Sequence, residues 1–309
     1  MMRKQRGVTL IEIMISMMLG LGLIAGIGQL FIQSQKSFTL QRNLSDMTDD
    51  AAFLLESLAK GVLLAGYSET GKMDQFVASS NVLSSGIDFN QNEYLHGSTT
   101  DSTDSIDSID SMIYRFKLAD TVGCTENYPR KDDITCELDN FVGTGGLTGN
   151  DIVDDTVSPN KKRNIVTIYI YKKSEGILSI DAKICDDADT NCTFLDKVNN
   201  NDEIISDVEK LEFRYGVRLK TFDTSIPPKH TPENDTFYYT DAATITAANN
   251  WTNVFAVKVF LVMRSADKNL TRNKTGWSID GGATEYPTTD EKRLYKTFSK
   301  TIFLRAPTQ

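Results

Sequence analysis

The stretch that decides the fold lies near the N-terminus, where residues 7–35 read GVTLIEIMISMMLGLGLIAGIGQLFIQSQ. After Glu12 this stretch has no charged residue until Lys36. About 20 apolar residues are enough for a helix to cross the hydrocarbon core of a bilayer. Residues 8–32 are therefore predicted to form a transmembrane helix.

The basic residues at the start of the chain indicate which way this helix is inserted. Arg3, Lys4 and Arg6 precede the apolar stretch. Basic flanks stay on the cytoplasmic side of a membrane. Everything that follows Lys36 is therefore expected on the far side of the inner membrane, in the periplasm.

The one charge inside the apolar stretch, Glu12, separates three interpretations. A secretory signal peptide cut after Gly26-Ile27-Gly28, or a simple signal anchor, would explain the apolar residues alone. Neither explains Glu12, because a carboxylate inside the bilayer costs on the order of a few kcal/mol unless a partner compensates it. A third interpretation that gives the carboxylate a partner is therefore favoured.

That interpretation comes from a resemblance. Residues 7–12, GVTLIE, resemble the type IV prepilin processing motif, in which a glycine precedes the cut and a glutamate is fifth in the mature chain. The resemblance implies that a membrane-embedded prepilin peptidase cleaves between Gly7 and Val8 and methylates the new N-terminus. Residues 1–7 are then the leader. Val8 departs from the family, in which the first mature residue is usually Phe.

Cleavage would give Glu12 its partner. The new α-amine of Val8 and the Glu12 carboxylate of a neighbouring subunit can pair inside the membrane. Both charges gain this partner only on assembly, so Glu12 is predicted to be a subunit-assembly residue.

The helical pattern continues beyond the membrane. Apolar residues recur at spacings of three and four, which is typical of one face of an amphipathic helix; they are Leu40, Leu44, Met47, Ala51, Leu54, Leu58 and Val62. Gly61 and Gly66 provide a stop. One helix over residues 8–66, roughly 85 Å long, is therefore predicted.

After the helix, β patterns dominate. Strands are predicted at residues 112–117, 164–173, 176–185, 208–219, 254–264 and 295–304. Several alternate apolar and polar residues, which favours sheets with one face on the helix and the other toward solvent. The predicted fold class is α+β: a long N-terminal helix packed on an antiparallel β-sheet head, residues 67–309, with long loops.

The long polar stretches at residues 95–111, 124–164 and 221–250 are predicted to be loops. The first contains a small repeat with an aspartate at every third position; these residues are Asp101, Asp104, Asp107 and Asp110. A calcium site is conceivable there, but a solvated acidic loop is favoured.

The four cysteines all follow the apolar stretch, on the side where an exported chain meets an oxidising compartment. Three pairings are possible. The sequence-local one, Cys124 with Cys136 and Cys185 with Cys192, is favoured. A zinc site is disfavoured because neither spacing is C-x-x-C and no histidine lies near.

Composition argues against catalysis and nucleic-acid binding. The net charge is −9, and His96 and His230 are the only histidines. Neither lies in a metal-binding spacing, and no G-x-S-x-G elbow, P-loop or dinucleotide turn occurs in a suitable context. We therefore expect no enzyme, no catalytic, metal or cofactor site, and no nucleic-acid partner.

The C-terminal third carries a second resemblance. Residues 205–216 read ISDVEKLEFRYG, residues 257–265 read VKVFLVMRS, and the last strand follows at residues 298–305. Together with the leader and helix, these segments resemble the PilW-type minor pilins, which are relatives of the J-type pseudopilins of type II secretion.

The resemblance implies a minor pilin of a type IV pilus that primes assembly at or near the fibre tip, and a link to cell adhesion and twitching motility. Implied partners are the prepilin peptidase, other minor pilins, the major pilin, the inner-membrane assembly platform and, in some systems, a large tip adhesin. The chain would be a single-pass inner-membrane protein that later moves to the cell-surface pilus. The alternatives are a J-type pseudopilin and a tip adhesin that binds a surface through its acidic loops.

Overall fold

The computed structural model describes residues 10–67, 88–90, 92–100, 109–117, 163–174, 176–186, 192–194, 202–219, 235–287 and 291–304. The leader, Gly7, Val8, Cys124, Cys136 and His230 lie outside the described residues.

The predicted long helix is present. Helix α1 (Leu10–Val62) has 53 residues without interruption and is roughly 80 Å long. Its first half packs against nothing in the described part of the chain, and it is long and apolar enough to cross a membrane. The helix ends at Val62, four residues before the predicted end. A turn follows as far as Gly66, whose φ of +75° suits glycine. The ring of Tyr94 lies only 2.9 Å from where a β-carbon at Gly66 would be.

The second half of α1 packs on the head through the face predicted from the spacing. Its buried apolar residues are Met47, Ala51, Leu54, Leu55, Leu58, Ala59 and Val62. Leu40 and Leu44, at the start of the predicted stripe, are half-buried. This face shares one core with the inner face of the sheet.

In the described part of the head, one antiparallel sheet contains nine strands: β1 (Leu95–Thr100), β2 (Ile109–Lys117), β3 (Arg163–Ser174), β4 (Gly176–Asp186), β5 (Cys192–Phe194), β6 (Asp202–Leu219), β7 (Thr236–Thr240), β8 (Val254–Arg264) and β9 (Tyr295–Phe303). The order is β1-β2-β3-β4-β6-β8-β9; β5 pairs with β4 and β7 with β6. A short helix, α2 (Ala242–Ala247), precedes β8. The α+β fold class is confirmed.

All six predicted strands exist, and residues 254–264 have the predicted bounds. Two predicted loops were wrong. Residues 95–111 contain β1 and the start of β2, and residues 221–250 contain β7 and α2. Both missed strands are short: β1 reads LHGSTT and β7 reads TFYYT. Neither shows the apolar run that marks a core strand.

The prediction that the outer face of the sheet meets solvent was wrong for β8. Val257 and its alternate neighbours face the core shared with α1, but Ala256, Phe260 and Val262 are buried as well. Segment 265–287 lies over this second face: Thr297 of β9 donates a hydrogen bond to the Ser278 carbonyl at 3.0 Å. β8 is therefore enclosed on both sides.

Asp110 corrects the prediction of a solvated acidic loop. The other three aspartates of the repeat lie outside the described residues, but Asp110 belongs to β2 and is only 7% exposed. The sheet curls so that β2 approaches β6, and the Asp110 carboxylate accepts a hydrogen bond from the Phe213 amide at 2.8 Å. Burial raises the pKa of Asp110 from 3.8 to about 7.

Candidate assembly interface

The N-terminal half of α1 is the first part of the candidate interface. Glu12 lies in the first turn of the helix and is exposed. Among the described residues, the first hydrogen bond between helix and head is at Asn43, roughly 46 Å further along the axis. Because Val8 lies outside the described residues, cleavage after Gly7 and pairing with Glu12 stay predictions.

The apolar side chains of this half have no cover within the described part of the chain. Those that are at least half exposed are Leu10, Ile11, Ile13, Met14, Ile15, Met17, Met18, Leu19, Leu21, Leu23, Ile24, Ile27, Leu30, Phe31 and Ile32. Each aliphatic or aromatic side chain gains about 1.5–3 kcal/mol on leaving water. By length and composition, this uncovered segment is a candidate membrane span.

Polar contacts fix how α1 sits on the head, in addition to the shared core. The Asn43 amide donates to the Asp267 carboxylate at 2.9 Å, and the Asp267 backbone amide donates to the Asn43 side-chain oxygen at 3.3 Å. Further along, Lys300 of β9 donates to Glu56 at 2.5 Å, which lowers the pKa of Glu56. We call these three contacts the helix clamp.

Two lysines give the direction of β9 relative to the helix. Lys296 contacts Thr48 at 3.3 Å and Lys300 contacts Glu56 at 2.5 Å. Thr48 and Glu56 are about 12 Å apart along the helix axis, and Lys296 and Lys300 are about 13 Å apart along the strand. In both elements the later residue of the chain contacts the later residue of the other. β9 therefore runs parallel to α1, with Tyr295 toward the membrane segment and Phe303 away from it.

Cys185 and Cys192 lie directly opposite each other in the antiparallel pair of β4 and β5. The α-carbons of opposed residues in such pairs are about 4.5–5.5 Å apart, within the roughly 4.4–6.8 Å usual for a disulfide. The backbone register is thus compatible with the predicted bond, which stays a prediction. The other predicted pair lies outside the described residues.

His96 belongs to an aromatic cluster. Its ring stacks on Trp251 at 4.4 Å between centroids and meets the edge of Phe89 at 6.2 Å. Burial lowers the pKa of His96. Among the described residues, no group of three or more His, Cys, Asp or Glu side chains is close enough to hold a metal ion.

Sequence reasoning missed Arg115, which is fully buried. Its Nε donates to the Glu93 carbonyl at 2.7 Å, and its guanidinium carbon lies 4.4 Å from the centre of the Phe89 ring. This arginine holds the segment that leads into β1. The only available signal was an arginine inside an apolar strand, which more often marks a solvent-facing position.

With the geometry established, comparison with known proteins places the chain. A family model described as the prokaryotic N-terminal methylation motif matches residues 2–27. A second, type IV pilus-assembly protein W, or PilW, matches residues 169–306, from β3 to just beyond β9. The chain therefore carries the N-terminal methylation motif of type IV pilins together with a PilW-family domain. Both matches agree with the resemblances found in the sequence.

No curated protein sequence matches the chain. Among solved structures, the type IV-like pilin TTHA1219 from Thermus thermophilus is similar over 83% of this chain and 95% of that one, with 12% identity and a TM-score of 0.37.

Proposed function

We propose that this protein is a minor pilin of a type IV pilus that helps to prime assembly and lies at or near the fibre tip. The observation that supports the proposal most is the joining of two parts: a bare, apolar helix half that contains one carboxylate, Glu12, and a PilW-family head. The first part suits a subunit that moves from bilayer to helical bundle. The second belongs to a family described as pilus-assembly proteins.

The proposed course begins with the prepilin in the inner membrane and its head in the periplasm. The prepilin peptidase cleaves between Gly7 and Val8 and methylates the new amine. Glu12 of one subunit then pairs with the Val8 amine of another, which neutralises two charges in a low-dielectric setting. Other minor pilins, the major pilin and the assembly platform are the proposed partners, and the assembled chain ends on the cell surface.

The proposed role is structural rather than catalytic. The chemistry assigned to Glu12 is charge pairing, and the buried ionisable groups of the head are held within its packing. Asp110 accepts a backbone hydrogen bond and Arg115 donates to a backbone carbonyl. Both contacts join strands or loops of the fold.

We also propose disulfides between Cys124 and Cys136 and between Cys185 and Cys192. Closing loops of roughly ten residues contributes about 2–3 kcal/mol each. Non-reducing peptide mapping of periplasmically exposed protein is expected to find these two cross-linked peptides. Free thiols at all four positions would contradict the proposal.

The experiment that tests the function combines deletion with fibre analysis. Deleting the gene should reduce the number of surface fibres and leave type II secretion intact. Sheared wild-type fibres should contain the chain, beginning at Val8, in far smaller amount than the major pilin. Normal fibres together with blocked secretion would instead identify a pseudopilin.

A further inference from the structure

Four aromatic side chains form a continuous surface at one corner of the sheet. Phe255 of β8 lies at the centre, with ring centroids 5.5 Å from Phe237 and 6.5 Å from Tyr239 of β7, and 6.3 Å from Phe303 of β9. The three outer rings are 56%, 46% and 62% exposed. We call this surface the distal aromatic patch.

The strands hold the patch in place. The register of β6 and β8 shifts between Gly216 and Val217, so Phe255 bulges out of the ladder. Its ring lies over Gly216, where an added β-carbon would lie 3.1 Å from two ring atoms. The absence of a side chain there lets Phe255 lie against β6 and join rings from three strands into one surface.

The patch faces away from α1. Ile302 is buried in the core that α1 shares, and successive side chains of a strand point to opposite faces, so Phe303 points outward. In the same way, Tyr238 packs against this core between the outward rings of Phe237 and Tyr239. A partner on the patch would therefore not compete with the contact between helix and head.

The patch also lies at the end of β9 that is farther from the N-terminal half of α1. β9 runs parallel to α1, as the contacts of Lys296 and Lys300 show, and Phe303 is its last residue. In a fibre of parallel subunits with their helix N-termini at the base, this end of β9 points toward the tip.

The charges beside the patch define the chemistry of its occupant. Arg218, whose guanidinium lies 5.7 Å from the Phe237 ring centroid, is paired with Asp235 at 2.6 Å. Lys258, further down the same face, is paired with Asp280 at 2.8 Å. With these charges compensated internally, the surface favours an apolar, uncharged contact over a strongly charged ligand.

The size of the patch suits a protein. Four aromatic rings at these exposures offer on the order of 400 Å², about half of what one partner contributes to a standard protein interface. The largest exposed apolar patch on a monomer is commonly of about this size and is often functional. Aromatic residues dominate the energetic centre of protein interfaces.

We propose that the distal aromatic patch binds a second protein of the fibre tip through an apolar, uncharged surface of that protein. This inference rests on the proposed placement of the chain at or near the tip. A second copy of this chain and a surface glycan are the competing occupants, and the experiment separates them.

The first measurement uses the full-length chain in piliated cells. A photocrosslinking phenylalanine analogue replaces Phe303 or Tyr239, and Tyr286 serves as the matched control. Tyr286 is 51% exposed on segment 265–287, near Gly276 rather than among the patch rings. Both patch positions should crosslink to one pilus protein, identified by mass spectrometry, and the control should not. Crosslinks to a second copy or to a glycan, or none at all, would overturn the inference.

The second measurement removes the rings. The double variant Phe237→Ser/Phe303→Ser should be processed and enter fibres, but the crosslinked partner should fall at least tenfold in sheared fibres. Tyr286→Ser should retain it. An unchanged partner level would overturn the inference while leaving the proposed function in place. Absence of the wild-type chain from fibres would instead overturn the proposed function. The crosslinking result holds even if the double variant fails to fold.

Discussion

The buried carboxylate of Asp110 makes the stability of the head depend on pH in a direction opposite to that of most paired carboxylates. Burial is the largest cause of its raised pKa and the nearby Glu212 adds to it; the Phe213 amide, Arg214 and Lys210 act the other way. The folded state therefore binds this proton up to about pH 7, whereas the unfolded chain releases it near pH 3.8. Stability must fall as pH rises between these two values.

The magnitude follows from the size of the shift. Each pKa unit corresponds to about 1.4 kcal/mol, so a rise from 3.8 to about 7 costs the folded state on the order of 4 kcal/mol above pH 7. The cost is nearly absent at pH 4. Asp110→Asn keeps an oxygen that can accept from the Phe213 amide but removes the charge. The variant should lack this part of the pH dependence, whatever its absolute stability.

The assay is urea unfolding of both full-length chains in detergent from pH 4 to 8, followed by tryptophan fluorescence. Trp251 and Trp277 are the only tryptophans and both are buried in the head, so the signal reports the head rather than the membrane helix. His96, whose pKa is lowered by burial, destabilises the fold at acid pH. Because His96 is present in both chains, its contribution cancels in the difference between their free energies of unfolding. If the free energies of unfolding of the wild-type chain and the Asp110→Asn variant changed with pH in parallel, the reasoning would be refuted.

Three further predictions test the packing of the head and the proposed role of Glu12 in assembly. Gly97→Ala should destabilise the head by about 1–3 kcal/mol in the same urea assay, because its β-carbon would lie too close to the hydroxyl of the buried Tyr215. Arg115→Ala should lower the free energy of unfolding by about 3 kcal/mol or more. Arg115→Lys should lower it less, because lysine restores the charge but lacks the planar guanidinium group. Equal stability of the wild-type chain and both variants would contradict the assigned role. Glu12→Gln should leave cleavage after Gly7 and head stability unchanged but deplete the chain from sheared fibres, as measured by immunoblot; entry at the wild-type level would show that the carboxylate is not needed for assembly.

The sequence was informative where one physical pattern dominates. A continuous apolar stretch, followed by apolar residues at spacings of three and four, predicts a helix. Helix α1 covers this pattern from Leu10 to Val62. Likewise, residues 254–264 are mostly β-branched and aromatic, and β8 has those bounds. Their nearly continuous apolar character, VFAVKVFLVMR, was also a signal that β8 is buried on both faces.

The remaining features depend on contacts between distant segments. Asp110 looked like a loop residue because it ends an Asp-Ser repeat, and only the curl that brings β2 to β6 gives its carboxylate a buried partner. The distal aromatic patch joins three strands through a bulge at Phe255. The helix clamp links Asn43 to Asp267 across 224 positions. No local periodicity encodes such pairings.

The division of α1 explains why these tests can be separated. Buried residues of the helix begin at Asn43, so the core and the helix clamp belong to the second half alone. The first half contributes exposed apolar surface and Glu12 but no packing to the described part of the head. A change at Glu12 should therefore alter recruitment without altering the urea midpoint, and a change at Asp110 should do the reverse. If Glu12→Gln shifted the midpoint of the head, the two halves would be energetically coupled, and fibre depletion could not be assigned to the loss of the membrane charge pair.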